Sequence, residues 1–302
     1  MAEPQPGIFA QGTRSHYHLE FTVHDDAPVP DVRAAISRLG EPSVSVGGFN
    51  LVVGVGSNLW HRLEPNVALA EFHDFSPIAG TDHHDVPATQ RDLWVWVHGT
   101  GPDLALDAAR AVTQCLSPVA DLALEQPGFV YRDSRDLTGF IDGTANPPVV
   151  EAPNVALIPD DQPGRGGAFA LTMRWVHNLE AFGRLSTQDQ ERVIGRTKLD
   201  SVELDDDAKP ATAHIARVTI EENGEELQLY RRSVPYGTVH EHGLFFVAFS
   251  ADPSRFDEML ARMFGTASDT RRDHLTDFTR PVSGAYYFVP SLETLKAIAT
   301  AT

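Results

Sequence analysis

Cysteine is almost missing from these 302 residues, with Cys115 standing alone. One thiol excludes a disulfide within the chain and a thiolate metal cluster. Its surroundings, Ala108 to Leu116, carry a helical pattern, in which a small apolar side chain belongs to the core. Basic charge is also scarce. Against 42 Asp and Glu there are 24 Lys and Arg, for a formal net charge of -18. A surface of that sign repels phosphate backbones and anionic lipid, which sets aside nucleic acid and membrane as partners. No apolar run is long enough to cross a bilayer. The first residues, Met1 to Gly7, show no basic region followed by an apolar stretch, and no twin-arginine leader is present, so no export signal is expected. A cytoplasmic protein is the expectation. What the chain does have is a hydrophobic fraction of 42%, with 23 Gly and 21 Pro. These values describe a globular, loop-rich protein that handles small molecules, with length for one large or two moderate domains.

An order of elements recurs. Leu93 to His98 reads as a strand, and Leu104 to Leu116 as a helix with Leu104, Ala108, Ala111 and Cys115 on one face. Leu244 to Phe249 reads as a strand, followed by a helix over Arg255 to Phe264 that Gly265 stops. Strand material precedes both units. In the first half it is Tyr17 to Val23 and Ser45 to Val55, with a helix near Asp31 to Leu39 between them. In the second it is Ala168 to Val176, then a helix, then His214 to Ile220 and Leu227 to Arg231. Ser186 caps a helix from Thr187 to Ile194, Asp189 is placed to return the bond, and Gly195 ends it. The tail from Leu292 is a short helix or a frayed end. The fold class expected is α+β: duplicated ferredoxin-like units, antiparallel sheets with helices packed on them. Pro, Gly and Asp cluster between Pro147 and Gly167, which divides the chain into halves of 1–147 and 148–302.

Three places carry chemistry. Gly139-Phe140-Ile141-Asp142-Gly143-Thr144-Ala145-Asn146-Pro147 sets one carboxylate between an apolar pair and a flexible turn. Burial and close backbone approach suit a catalytic acid, although Asp-Gly is also an ordinary turn. His214 lies among small and apolar neighbours, which suits either an axial haem ligand or a core histidine bonded to a carbonyl. In Tyr230-Arg231-Arg232-Ser233, strand geometry puts Arg231 and Ser233 on one side and Arg232 on the other. That side is either a grip for a small polar ligand or an edge with exposed charge.

Taken together, these segments resemble the dye-decolourising peroxidases, in particular the compact bacterial B-type group. The resemblance runs through Gly139 to Gly143 and Asn146-Pro147, Leu185-Ser186, Glu191 to Arg196, Ala213 to Arg217, Arg231 to Gly237 and Gly243 to Phe246. It is looser in the first half, through Gly7-Ile8 and Pro87-Ala88-Thr89. It implies a haem peroxidase with one haem b per chain, reducing hydrogen peroxide and oxidising dyes, phenols or other small reductants by one-electron steps. His214 would ligate the iron, Asp142 would be the distal acid-base group and Arg231 the distal cation. Ser233, where several relatives carry Asn, would join the distal set. Gly143, Thr144 and Phe246 would lie against the haem, and Arg196 would meet a propionate, unless it is a surface arginine. Asp277 would accept a bond from His214 and enrich the imidazole in electrons, unless it merely caps a turn. Homo-oligomers are expected, because sheet edges need cover.

The chemistry needs these residue types. Peroxide must lose a proton from one oxygen and gain one on the other before the O–O bond breaks, which a carboxylate shuttles. A fixed cation stabilises the charge that develops. Arg231 draws the pKa of Asp142 down while burial pushes it up. Trp60, Trp94, Trp96, Trp175, Tyr230 and Tyr286 are candidates for passing oxidation outward, with packing the better reading for Trp94, Trp96 and Tyr286. His83-His84 beside Asp82 and Asp85, His240-x-His242 and His16-x-His18 lack a complete metal-ligand set and read as surface loop or strand histidines. Two rival readings share the residues: a haem carrier or iron-removing enzyme that spares the porphyrin, and an interaction module without cofactor.

Overall fold

Residues 2–39, 48–222 and 224–300 are described by the computed structural model. In the first half, β1 (Ser15–Val23), α1 (Val29–Leu39), β2 (Phe49–Val55), α2 (Ser57–Leu63), β3 (Leu93–Gly99), α3 (Pro102–Leu116) and β4 (Ala120–Phe129) follow one another. The second half runs α4 (Ala152–Ala156), β5 (Ala168–His177), α5 (Leu179–Gly183), α6 (Thr187–Ile194), α7 (His214–Val218), the short pair β6 (Glu221–Glu222) and β7 (Glu225–Glu226), then β8 (Tyr230–Arg231) and β9 (Val234–Gly237). It closes with β10 (His242–Ser250), α8 (Ser254–Met263), β11 (Thr279–Pro281), β12 (Ala285–Val289) and α9 (Leu292–Thr300).

The main sheet has the order β4-β1-β3-β2-β12-β5-β10-β8, with β9 also paired to β10 and β11 to β5. Each half contributes the same arrangement: its last strand, then its first, third and second. This is the ferredoxin-like pattern twice over, α+β with antiparallel neighbours, and two such units share one sheet. They meet at Phe288 of β12, opposite Val55 of β2. The far edges approach each other as the sheet curls. A Cβ added at Gly128 in β4 would sit 2.7 Å from Val234 Cγ2 in β9.

Both faces of the central strands are covered, which explains their unbroken apolar runs. Leu93, Val95 and Val97 of β3 pack beneath α1 and α3, while Trp94 and Trp96 point inside the curl with Val52, Phe245, Phe249 and Tyr287. The inside also holds polar groups. Trp96 donates its Nε1–H to His16 Nδ1 at 3.1 Å. Arg232 donates to the carbonyls of Ile8 and Ala10 at 2.7 Å and lies over the Trp96 ring, pinning the N-terminal segment. Burial, with help from the Arg232 charge, lowers His16 to about 3, so this imidazole is neutral at physiological pH.

Several expectations change. Of the strand expected over 214–220, His214–Val218 form the helix α7 and the last two residues are neither helix nor strand. Within 227–231, only Tyr230 and Arg231 join the sheet. Of the strand expected over 45–55, residues 45–47 lie outside the described residues and the rest begins at Phe49. His16 and His18 are interior residues, 3% and 0% exposed, rather than surface ones. Trp60, Trp94, Trp96, Trp175, Tyr230 and Tyr286 are all buried, so none of the six offers a surface site. Among the described residues no group of three or more His, Cys, Asp or Glu is placed to hold a metal ion.

Candidate active site

Three local structures converge on one slot, and each has a readable cause. The first is α6. Its N-cap Ser186 accepts from the Asp189 amide at 3.1 Å, and Gly195 ends it in the left-handed region at φ 94°. The Asp189 carboxylate returns to the Ser186 hydroxyl, not to its backbone. Val193 and Ile194 pack with Phe140 and Phe182. Gly195 touches α7 so closely that an added Cβ would lie 2.5 Å from Ile215 Cγ1.

The second is α7 itself, a helix too short to hold its shape by propagation alone. Side chains fasten it. Arg217 forms a two-pronged pair with Asp269 at 2.6 and 2.9 Å and also donates to the Arg262 carbonyl. Arg262 donates in turn to the Ala216 carbonyl at 2.9 Å. His214 is thus held at the start of a braced turn. Its Nδ1 donates to Asp273 Oδ2 at 2.6 Å, and the Asp273 side chain is 0% exposed. The Asp273 carboxylate is oriented by a second bond, from the Leu275 amide at 2.8 Å. His214 Nε2 has no protein partner among the described residues.

The third is the loop over 134–146. Asp142 N donates to the Ser134 carbonyl and Asp136 N to the Phe140 carbonyl, closing a tight hairpin. Arg135 clips it to the next segment by donating to the carbonyls of Gly139, Lys198 and Leu199. Phe140 turns inward, edge-on to Phe182, and leaves Asp142 beside Arg231 of β8.

The slot these pieces enclose measures about 940 Å³, including the part open to solvent at its mouth. One wall is a sheet face: Leu244 and Phe246 of β10 stand opposite Trp175 and Met173 of β5. Met259, Leu260 and Met263 of α8 supply more apolar surface. The polar groups at its boundary are His214, Asp142, Arg231, Asp136, Thr138, His177 and Thr279. Asp142 and Arg231 also border a second, polar chamber with Ser134, Arg135, Gly143, Asn146 and Ser233. These two side chains therefore form the partition between chamber and slot.

The electrostatics differ sharply between two nearby carboxylates. Burial raises Asp142 above the usual carboxylate range and the Asp136 charge adds to it, while Arg231, the Gly143 amide and His214 pull the other way. Of the two effects weighed on the sequence, burial wins. Asp136 is also pushed up by burial, but His177 and Thr138 outweigh this and hold it at about 2. His177 Nε2 lies 3.0 Å from Asp136 Oδ1, and its Nδ1 lies 2.6 Å from the Thr279 hydroxyl.

His214, Asp142, Arg231 and Phe246 are brought together at the slot. Ser233 and Gly143 line only the outer chamber, and the Ser233 hydroxyl accepts from the Val247 amide. Three expectations are corrected. Asp277 does not reach His214; it pairs with Arg272 at 2.8 Å on another face, and Asp273 takes its place. Arg196 spends its guanidinium on the Ser201 carbonyl and on Glu203, and does not line the slot. Thr144 accepts from the Ser201 hydroxyl and lines neither space. Asp273, Asp136 and His177 went unread in the sequence. The signal for Asp273 was present: an Asp opening a short turn two residues before an amide it caps.

Two family models match, "Dyp-type peroxidase, N-terminal" over residues 5–130 and "Dyp-type peroxidase, C-terminal" over residues 133–294. A dye-decolorizing peroxidase of Rhodococcus erythropolis is 36% identical over 303 residues, covering 97% of this chain and 88% of that one. One of Mycobacterium tuberculosis is 34% identical, covering 97% and 89%. Among solved structures, DyPB from Rhodococcus jostii RHA1 superposes with a TM-score of 0.91 at 35% identity, covering 97% of each chain. A variant of that protein in complex with haem gives a TM-score of 0.89 at 34% identity, covering 95% of this chain and 96% of the other. The chain belongs to the Dyp-type peroxidase family, and its compact length matches the B-type group.

Proposed function

We propose that the slot holds one haem b and that the protein is a peroxidase whose working groups are His214, Asp142 and Arg231. One observation carries this reading. An imidazole with its Nδ1 tied to a buried carboxylate points a free Nε2 toward an apolar slot, and that slot also presents an acid beside a cation. The residues fit the group. A tethered neutral imidazole suits iron, and Met173, Trp175, Leu244, Phe246, Met259, Leu260 and Met263 suit a porphyrin face. When bound, haem supplies the redox centre at which peroxide is reduced and from which reductants are oxidised one electron at a time.

The chain's own residues do the rest. Asp273 fixes the His214 tautomer and makes the ring a stronger donor. Peroxide approaches through the outer chamber, where Ser134 and Ser233 offer polar contacts. Asp142 takes the proton from one peroxide oxygen and returns it to the other. Its raised pKa suits both halves of that exchange. The Arg231 guanidinium, which has no hydrogen-bonded protein partner among the described residues, is free to hold the anion. The apolar wall excludes bulk water and strengthens these interactions.

The reductants are small molecules, dyes and phenols among them. The two units, 1–147 and 148–302, differ in duty, since most slot residues come from the second. A reducing cytoplasmic setting suits the free thiol of Cys115, whose Sγ merely donates to the Ala35 carbonyl. Homo-oligomers would cover the exposed Leu106 and Leu122. No helix among the described residues is long and apolar enough to cross a membrane.

Haem titration of the apoprotein tests the assignment. One equivalent should produce a Soret band that shifts promptly with peroxide. His214→Ala should lose the ligated spectrum, and Asp142→Ala should keep the spectrum but slow the peroxide step by roughly 10²–10⁴-fold. A normal peroxide reaction in Asp142→Ala would remove this residue from the role.

A further inference from the structure

Asn146 is joined to Arg231 across 85 positions of sequence by two hydrogen bonds of opposite sense. Its Nδ2 donates to the Arg231 carbonyl at 2.8 Å, and its Oδ1 accepts from the Arg231 amide at 2.9 Å. A primary amide thereby imitates one rung of a sheet ladder. The arrangement has local causes. Pro147 follows Asn146 and biases it toward extended backbone. The Asn146 amide donates to the Gly143 carbonyl at 3.0 Å, closing the turn that begins at Gly143, directly after Asp142. Gly143 permits this turn at φ 79°. On the other partner, β8 is only two residues long and pairs with β10 at Ala248 and Phe249. Its inner edge is held by β10, where the Arg232 amide donates to the Val247 carbonyl at 2.8 Å, and Asn146 holds the outer edge at Arg231. Among the described residues the Arg231 guanidinium makes no hydrogen bond to protein, so its location follows from where its backbone is held.

We infer that Asn146 is a positioning residue: it sets the distance between the Asp142 loop and Arg231, and acts on the reaction only through that cation. The inference rests on the reading of Arg231 as the group that stabilises an anion in the slot. Asparagine alone among the standard side chains of this length both donates and accepts here. Aspartate would keep the bond from the Arg231 amide but set an anion against the Arg231 carbonyl.

The test is a double-mutant cycle on the haem-loaded protein with two readouts, the rate of the peroxide-induced Soret change and the affinity of the ferric protein for fluoride. Fluoride reports anion stabilisation without any chemistry. Arg231→Leu should weaken fluoride binding and slow the peroxide step at least tenfold. Asn146→Ala should lower both about tenfold, with haem content and resting spectrum unchanged. In the Arg231→Leu background, Asn146→Ala should cost less than about twofold further. Asn146→Asp serves if the alanine variant does not fold, with the same expected masking. Wild-type values in Asn146→Ala, or equal losses in both backgrounds, overturn the inference while leaving Arg231 in its role. An Arg231→Leu protein that binds fluoride and reacts as the wild type does overturns the underlying reading as well.

Discussion

Replacing Asp136 by Asn removes one charge and alters little in shape, so its outcome is an electrostatic measurement. The carboxyl sits at about 2 against an ordinary 3.8, despite burial, because His177 and Thr138 hold its charged form. The difference is nearly two units, worth about 2 kcal/mol to the folded state at neutral pH. The side chain is only 15% exposed, so screening by solvent takes little from this figure. The sign follows from the direction of the shift. The folded value lies below the unfolded one, so the contribution is complete above about pH 4 and fades as the pH falls toward 2. Urea unfolding, followed by tryptophan fluorescence, should find Asp136→Asn less stable by about 2 kcal/mol at pH 7 and by only about 1 kcal/mol at pH 3. A deficit that does not change with pH would refute the ion-pair account and leave shape as the cause. The same variant has a kinetic consequence. The Asp136 charge raises Asp142, so its loss should move the acid limb of the peroxide reaction to lower pH.

Other outcomes follow from neighbouring features. Arg231→Leu withdraws the charge that pulls Asp142 down, so the acid limb should move to higher pH, opposite to Asp136→Asn; stopped-flow rates across pH decide it. Asp273→Asn weakens the electron supply to His214, so the haem reduction potential should rise, by about 59 mV for each tenfold change in relative affinity for the two iron states. Spectroelectrochemistry reads this directly, and an unchanged potential counts against the tether. Gly195→Ala forces a Cβ into a left-handed residue and against Ile215, beside His214. It should cost about 1–2 kcal/mol in thermal or urea unfolding and also weaken haem binding; a loss of stability with unchanged haem affinity would separate α6 from the slot.

The long elements were legible because their physics is local. Strands buried on both faces appear as continuous apolar runs, as in Leu93 to His98, and α6 announces both ends through Ser186 and Gly195. The helix α7 was not legible. Five residues are too few to show a period, and His214-Ile215-Ala216-Arg217-Val218 alternates well enough to pass for a strand. What makes it helical is tertiary, through Arg217 with Asp269 and Arg262 with Ala216. Asp273 and Asp277 posed a similar difficulty. They lie within one short turn, and only its orientation decides which carboxylate meets His214. Asn146 stood in plain view within its motif, but its partner is remote in sequence, so no local pattern marked its amide. Asp142, Arg231 and His214 were singled out by resemblance rather than by spacing, since no interval along the chain ties them together.

The two units of the sheet are stitched by main-chain pairing at Phe288 and Val55, by Gln5, which bonds both Val53 and Pro290, and by Thr89 and Gln90, which bond Gly284 and Tyr286; aromatic rings pack beside these bonds. Trp60 stands edge-on to Phe288 at 4.7 Å between ring centres, and Phe169 and Phe72 lean on the same ring. Hydrogen bonds and close-packed rings together couple the two units across that line. Amide hydrogens flanking that seam should therefore exchange as one cooperative class across both units. The slot at His214 lies almost wholly on the far side of that seam, so its shape is inherited through these bonds.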